Sequence, residues 1–90
     1  MNNTLSYEEV ESRLRVIVSG LLRVNPVEIN FQSSMKTMRR WDSLKHMRIV
    51  LAIEEEFRFG QINIEEIVRM TNFQTLVEIV TQKLGVPKNL

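Results

Sequence analysis

The sequence predicts an all-α protein: a small bundle of four helices, three long and the third short, with a long loop between the first and second. Three observations predict it. Apolar residues recur at helical spacing in three separate stretches. Ser6, Asp42, Asn63 and the pair Thr71-Asn72 stand where helix N-caps belong. Asn25-Pro26, Gly60 and Gly85-Val86-Pro87 stand where helices should stop.

Ser6 and Glu9 have capping-box spacing, and Val10, Leu14, Ile17, Leu21 and Val24 follow at helical intervals, so a first helix is expected from about Tyr7 to Arg23. Proline biases the residue before it away from helical geometry, and Asn25-Pro26 ends the element. From Pro26 to Trp41 the pattern is irregular, a connection pinned by Ile29, Phe31, Met35 and Met38. Loops of this length without structure of their own are often functional. Asp42 caps a second helix whose stripe, Leu44, Met47, Val50, Leu51, Ile53 and Phe57, is broad enough to be mostly buried, with Gly60 ending it. Asn63 and Glu66 cap the short third helix, which carries Ile64, Ile67 and Val68. In the last helix Phe73, Leu76, Val77, Val80 and Leu84 form the cleanest amphipathic stretch, begun by either Thr71 with Gln74 or Asn72 and closed by Gly85. Leu44, Val50, Phe57, Phe73 and Leu76 are expected to share one core.

Ninety residues allow a single domain, 1–90, with an ordered core from about residue 6 to about residue 85. A chain of this size buries about 60% of its unfolded surface, enough for one modest core. With 43% hydrophobic and 26% charged residues the composition is that of a folded globular protein. The sequence holds no apolar run of bilayer length, and Met1 to Leu5 have neither the basic nor the apolar region of a signal peptide, so the expectation is a cytoplasmic monomer with no membrane partner. Without cysteine the domain has no disulfide, no thiol nucleophile and no thiolate metal site. Thiol chemistry would have to come from a cofactor.

A net charge of +1 does not point to nucleic acid. Its distribution is more informative: Lys36, Arg39, Arg40, Lys45 and Arg48 crowd around one acid, Asp42, and Glu54, Glu55, Glu56, Glu65 and Glu66 follow. The basic segment flanks Asp42-Ser43-Leu44, where the long loop enters the second helix. With Asp42 as cap, Ser43 is the first helical residue, and its hydroxyl faces outward. A phosphodiester on that oxygen would meet the unpaired N–H groups of the first turn, an arrangement worth about 0.3–1 kcal/mol for an exposed anion.

Trp41-Asp42-Ser43-Leu44, then Ile53-Glu54-Glu55-Glu56-Phe57, the segment Ile62 to Ile67, and Phe73 with Leu76-Val77 together resemble the acyl and peptidyl carrier protein family, over nearly the whole domain. The resemblance implies a carrier-type bundle and a non-enzymatic function. Ser43 would receive 4'-phosphopantetheine from coenzyme A, flanked by Asp42 and Leu44 in the cofactor site, and the arm's thiol would hold an acyl or aminoacyl group as a thioester. Implied partners are a phosphopantetheinyl transferase, a loading enzyme, and a downstream transferase or synthase. The wording Trp-Asp-Ser-Leu-Lys-His-Met looks more like free-standing carriers of secondary-metabolite assembly than like fatty-acid carriers, which are strongly acidic along this helix where Lys45 and Arg48 stand here. Lys36, Arg39, Arg40, Trp41, Lys45, Met47 and Arg48 are the expected partner-binding residues.

Competing readings attach to the same residues. Ser43 could be an ordinary exposed serine, and Asp42, Ser43 and His46 could form a hydrolytic constellation, although a ninety-residue bundle with one histidine offers little room for a cleft and oxyanion hole. His46 is expected to be solvated near the exit of the arm. Trp41 either staples itself to the first turns, against His46 or Met47, or is exposed for docking. Other functions are a nucleic-acid-binding helical domain, which the Glu54-Glu55-Glu56 run disfavours, and an unmodified scaffold that binds proteins.

Overall fold

The computed structural model describes residues 5–88. Four helices follow one another among these residues: α1 (Tyr7–Leu22), α2 (Ser43–Phe57), α3 (Ile64–Arg69) and α4 (Phe73–Leu84), with a 3-10 turn at Pro26–Glu28. Among the described residues there is no strand, only an isolated bridge between Ser34 and Asn72. No described helix is long and apolar enough to cross a membrane.

Local chemistry fixes the helix starts. Ser6 Oγ accepts from the Glu9 amide at 3.1 Å while Glu9 accepts from the Ser6 amide at 2.8 Å. Asn63 and Glu66 make the same reciprocal pair. At α4 the choice falls on Asn72, which accepts from the Thr75 amide at 2.9 Å, so Thr71 stays outside the cap. Each box satisfies two of the donors a helix start leaves free.

Two helix ends are set by residues other than those expected to set them. α1 stops at Leu22 because Arg23 takes left-handed backbone, φ 60°, ahead of Asn25-Pro26. α2 stops at Phe57 because Arg58 does the same, φ 55°, with Gly60 two residues beyond Arg58. Left-handed backbone strains a residue with a Cβ, and each turn is held by a local cap bond, Arg23 N–H to the Ser19 carbonyl and Arg58 N–H to the Glu54 carbonyl, and by one bond from farther along the chain. The guanidinium of Arg40 donates to the Arg23 carbonyl at 2.8 Å. Inside the second turn, Glu54 accepts from the Ile62 amide at 2.8 Å.

The core lies where α1 packs against α2 and α4, while α3 rests on α4. α1 contributes Val10, Leu14, Val18 and Leu22, each fully buried, whereas the expected Ile17, Leu21 and Val24 are half-buried at its edge. α4 contributes Phe73, Leu76, Val77 and Val80 as expected, with Leu84 half-buried. α2 differs most from the sequence reading. Its buried face is His46, Ile49, Val50 and Ile53, while Leu44 and Leu51 are 61% and 60% exposed. At 100° per residue these two leucines lie nearly opposite the buried face. The apolar set of α2 is therefore two stripes, not one broad one, and Leu44 is not a core residue. Val50 is in the core, and Phe57 is half-buried against it, stacked on Phe59.

The long loop is tied down. Asn30 and Ser34 donate their amides to Ser33 Oγ and Thr37 Oγ1, each at 2.9 Å. The Phe73 and Gln74 amides, which α4 cannot use, donate to the Ser33 and Phe31 carbonyls at 2.8 and 3.1 Å. Ile29 seals the underside of the loop and Met35 stays largely exposed. Across the other end of the bundle Lys83 reaches Glu66 at 3.1 Å. The amide of Asn63, and after it Lys83, holds the Glu66 carboxyl below the ordinary carboxylate range.

Candidate functional site at the start of α2

Asp42 Oδ1 accepts from the Lys45 amide at 2.9 Å, and the Asp42 carbonyl accepts from the His46 amide at 2.8 Å. That makes Ser43 the first helical residue. Its side chain is exposed and makes no hydrogen bond among the described residues, and the amides of Ser43 and Leu44 are donors the cap leaves over.

Trp41, one residue before the cap, is buried with 2% of its surface exposed. Its indole N–H donates to His46 Nδ1 at 3.1 Å, with ring centroids 6.0 Å apart. With Nδ1 accepting, the neutral ring carries its proton on Nε2, 3.3 Å from the Ile67 carbonyl of α3. Trp41 is thus the staple and not a docking residue, and His46, only 6% exposed, is not solvated. The Trp41 ring and the Ile67 carbonyl of α3 together enclose the imidazole, which ties α3 to the first turns of α2. The same bonds take His46 out of any hydrolytic arrangement with Ser43. Both its nitrogens are committed to Trp41 and Ile67, and the Asp42 carboxylate is committed to its cap. Trp41→Phe removes the one donor to a buried ring nitrogen. It is expected to cost about 1–3 kcal/mol, read as a lower midpoint in thermal melts. An unchanged midpoint would show that the bond does not hold α3 in place.

The basic residues divide by role. Lys36 and Arg39 border a shallow groove that also touches Met35, Thr37, Asp42 and Ser43. Lys45 and Arg48 lie on α2, Lys45 half-buried and Arg48 exposed; among the described residues none of these four makes an ion pair. Arg40 instead closes the end of α1. Beside Ser43 runs the second apolar stripe of α2: Leu44, Met47, which is 42% exposed, and Leu51. Met47 was expected at the partner surface. Leu51 was not, although its spacing from Leu44 and Met47, a period of seven set against the buried 46/49/50/53 series, carried the signal.

No family model matches the chain.

Proposed function

We propose that this chain is a carrier protein whose Ser43 takes a 4'-phosphopantetheine arm and presents an acyl or aminoacyl cargo to partner enzymes. The observation that carries the reading is the state of Ser43: an exposed, unbonded hydroxyl on the first residue of a capped helix. The residues around it suit a phosphodiester. Two leftover amide donors point from the helix start, and Lys36 and Arg39 border the same groove to offset the Asp42 carboxylate. The arm would supply the thiol that a chain without cysteine lacks. The protein's own residues hold the attachment point rigid through Asp42, Trp41 and His46, and leave it open on the side where a partner must approach. The exposed face of α2 carries the apolar stripe Leu44, Met47 and Leu51, which suits a protein partner better than a nucleic acid.

Incubation with coenzyme A and a broad-range phosphopantetheinyl transferase is expected to add one arm per chain, read by intact mass. A folded protein that gained no mass would end the proposal.

Lys45 and Arg48 flank the apolar stripe, so the cognate partner is expected to dock through an acidic surface. Lys45→Glu with Arg48→Glu should lower kcat/KM with that partner by about tenfold or more at low salt, chiefly through slower association. Wild-type turnover should fall in the same way as the Debye length shortens from about 10 Å at 0.1 M to about 3 Å at 1 M salt. Arg40 is left unchanged because it closes α1. A loaded double variant that serves its partner as well as wild type at low salt would show these charges to be plain solvated surface.

A further inference from the structure

We propose, resting on the carrier reading, that the pantetheine arm has a preformed seat: the groove that runs from Ser43 along the long loop to the start of α4. Two shallow depressions lie end to end there. The first holds Ser43, Arg39 and Thr37, the second holds Gln32, Thr71 and Asn72, and both share Met35 and Lys36. Those two residues stand between the depressions, and an arm leaving Ser43 crosses them to reach the second.

The path matches the chemistry of the arm in order. At the Ser43 end, Lys36 and Arg39 supply cationic donors for the phosphodiester. Next comes Met35, 41% exposed between Phe31 and Met38, which pack against the core; an unbranched thioether is suited to cover a gem-dimethyl group. At the far end, Gln32 and Thr71 are exposed polar side chains able to bond the two amides. The walls need little ordering when the arm binds. Ser33 and Ser34 are buried, the loop is bonded internally through Asn30 and Thr37, and it is fastened to α4 through the Phe73 and Gln74 amides. Fixed walls reduce the entropic cost of association, which is how a shallow groove holds a flexible ligand. This seat lies on the loop side of Ser43, apart from the apolar stripe of α2, so the arm and a docked partner use different faces.

The test exploits the missing cysteine, because the arm's thiol is the only thiol in the loaded protein. Protein labelled with nitrogen-15 is loaded, its mass is checked, and a nitroxide is attached to that thiol. Amide signals of Gln32, Met35 and Thr71 should be broadened, while those of Leu51 and Ile64 should not. Met35→Asp combined with Gln32→Ala should load normally and lose the broadening at Thr71. Broadening that falls off evenly around Ser43, or that points to Leu51 and Ile64, overturns the seat and leaves the carrier reading intact. The same holds if the double variant broadens Thr71 as wild type does. A protein that takes no arm fails at the mass measurement, and the carrier reading falls together with the seat.

Discussion

Ser43→Ala is expected to abolish loading completely while leaving the fold untouched. The hydroxyl is exposed, bonds nothing, and does not cap the helix, since the Asp42 carboxylate does that. A surface substitution of this kind stays within about 0.5 kcal/mol. For a domain of this size that is at most about 4 °C in melting temperature. Asp42→Ala supplies the contrast, because it removes the cap and should cost about 0.5–2 kcal/mol. Intact mass after incubation with coenzyme A and transferase reads the first effect, and a thermal melt the second. The neighbouring hydroxyls are poor substitutes: Ser33 and Ser34 are 4% and 8% exposed, and each accepts a loop amide, from Asn30 and Lys36 respectively. An arm found on either of them, or retained by Ser43→Ala, would sink the assignment.

What the sequence made legible was local. A cap joins residues three apart, so Ser6 with Glu9, Asp42 with Lys45, and Asn63 with Glu66 are visible in the order of the chain. Gly85 also ends its helix where it stands, with φ 72°. Where the decision was tertiary, spacing misled. Gly60 looked like the stop of α2, yet Arg58 takes the left-handed turn, and Glu54 stabilises it by binding the Ile62 amide eight residues on. Arg40 read as one charge among five, but its guanidinium reaches seventeen residues back to Arg23.

The start of α2 shows the same division. That Ser43 opens a helix behind Asp42 followed from two residues. That His46 is buried did not, because the carbonyl its Nε2 meets belongs to Ile67 in α3, far along the chain from the Trp41 staple. Counting His46 as polar left its face of α2 short of one member and let Leu44 and Leu51 pass as core. A buried histidine with both nitrogens bonded occupies an apolar position without apolar chemistry. Periodicity alone does not reveal such a residue.

The stability of the whole bundle should turn on Phe73, and Phe73→Ala is expected to cost about 3–5 kcal/mol. Its ring is fully buried, lies 6.2 Å from that of Phe31, and has the Arg15 guanidinium 5.1 Å from its centroid. Arg15 in turn donates to the Ile29 carbonyl at 3.2 Å and pairs with Glu11 at 2.8 Å. One side chain thus joins α4, the long loop and α1, and truncating it opens a cavity that three elements would have to collapse together. Small domains hold only about 5–15 kcal/mol in all. At about 4–8 °C per kcal/mol, the melting temperature should fall by more than about 12 °C. Leu44→Ala and Leu51→Ala are the controls. Each truncates a leucine more than half exposed, so each should stay within about 0.5 kcal/mol of wild type. Thermal melts of the three variants decide between the arrangements. If Leu51→Ala were as damaging as Phe73→Ala, the outer stripe of α2 would belong to the core after all. If Phe73→Ala melted within a few degrees of wild type, the loop and α4 would not be joined through that ring.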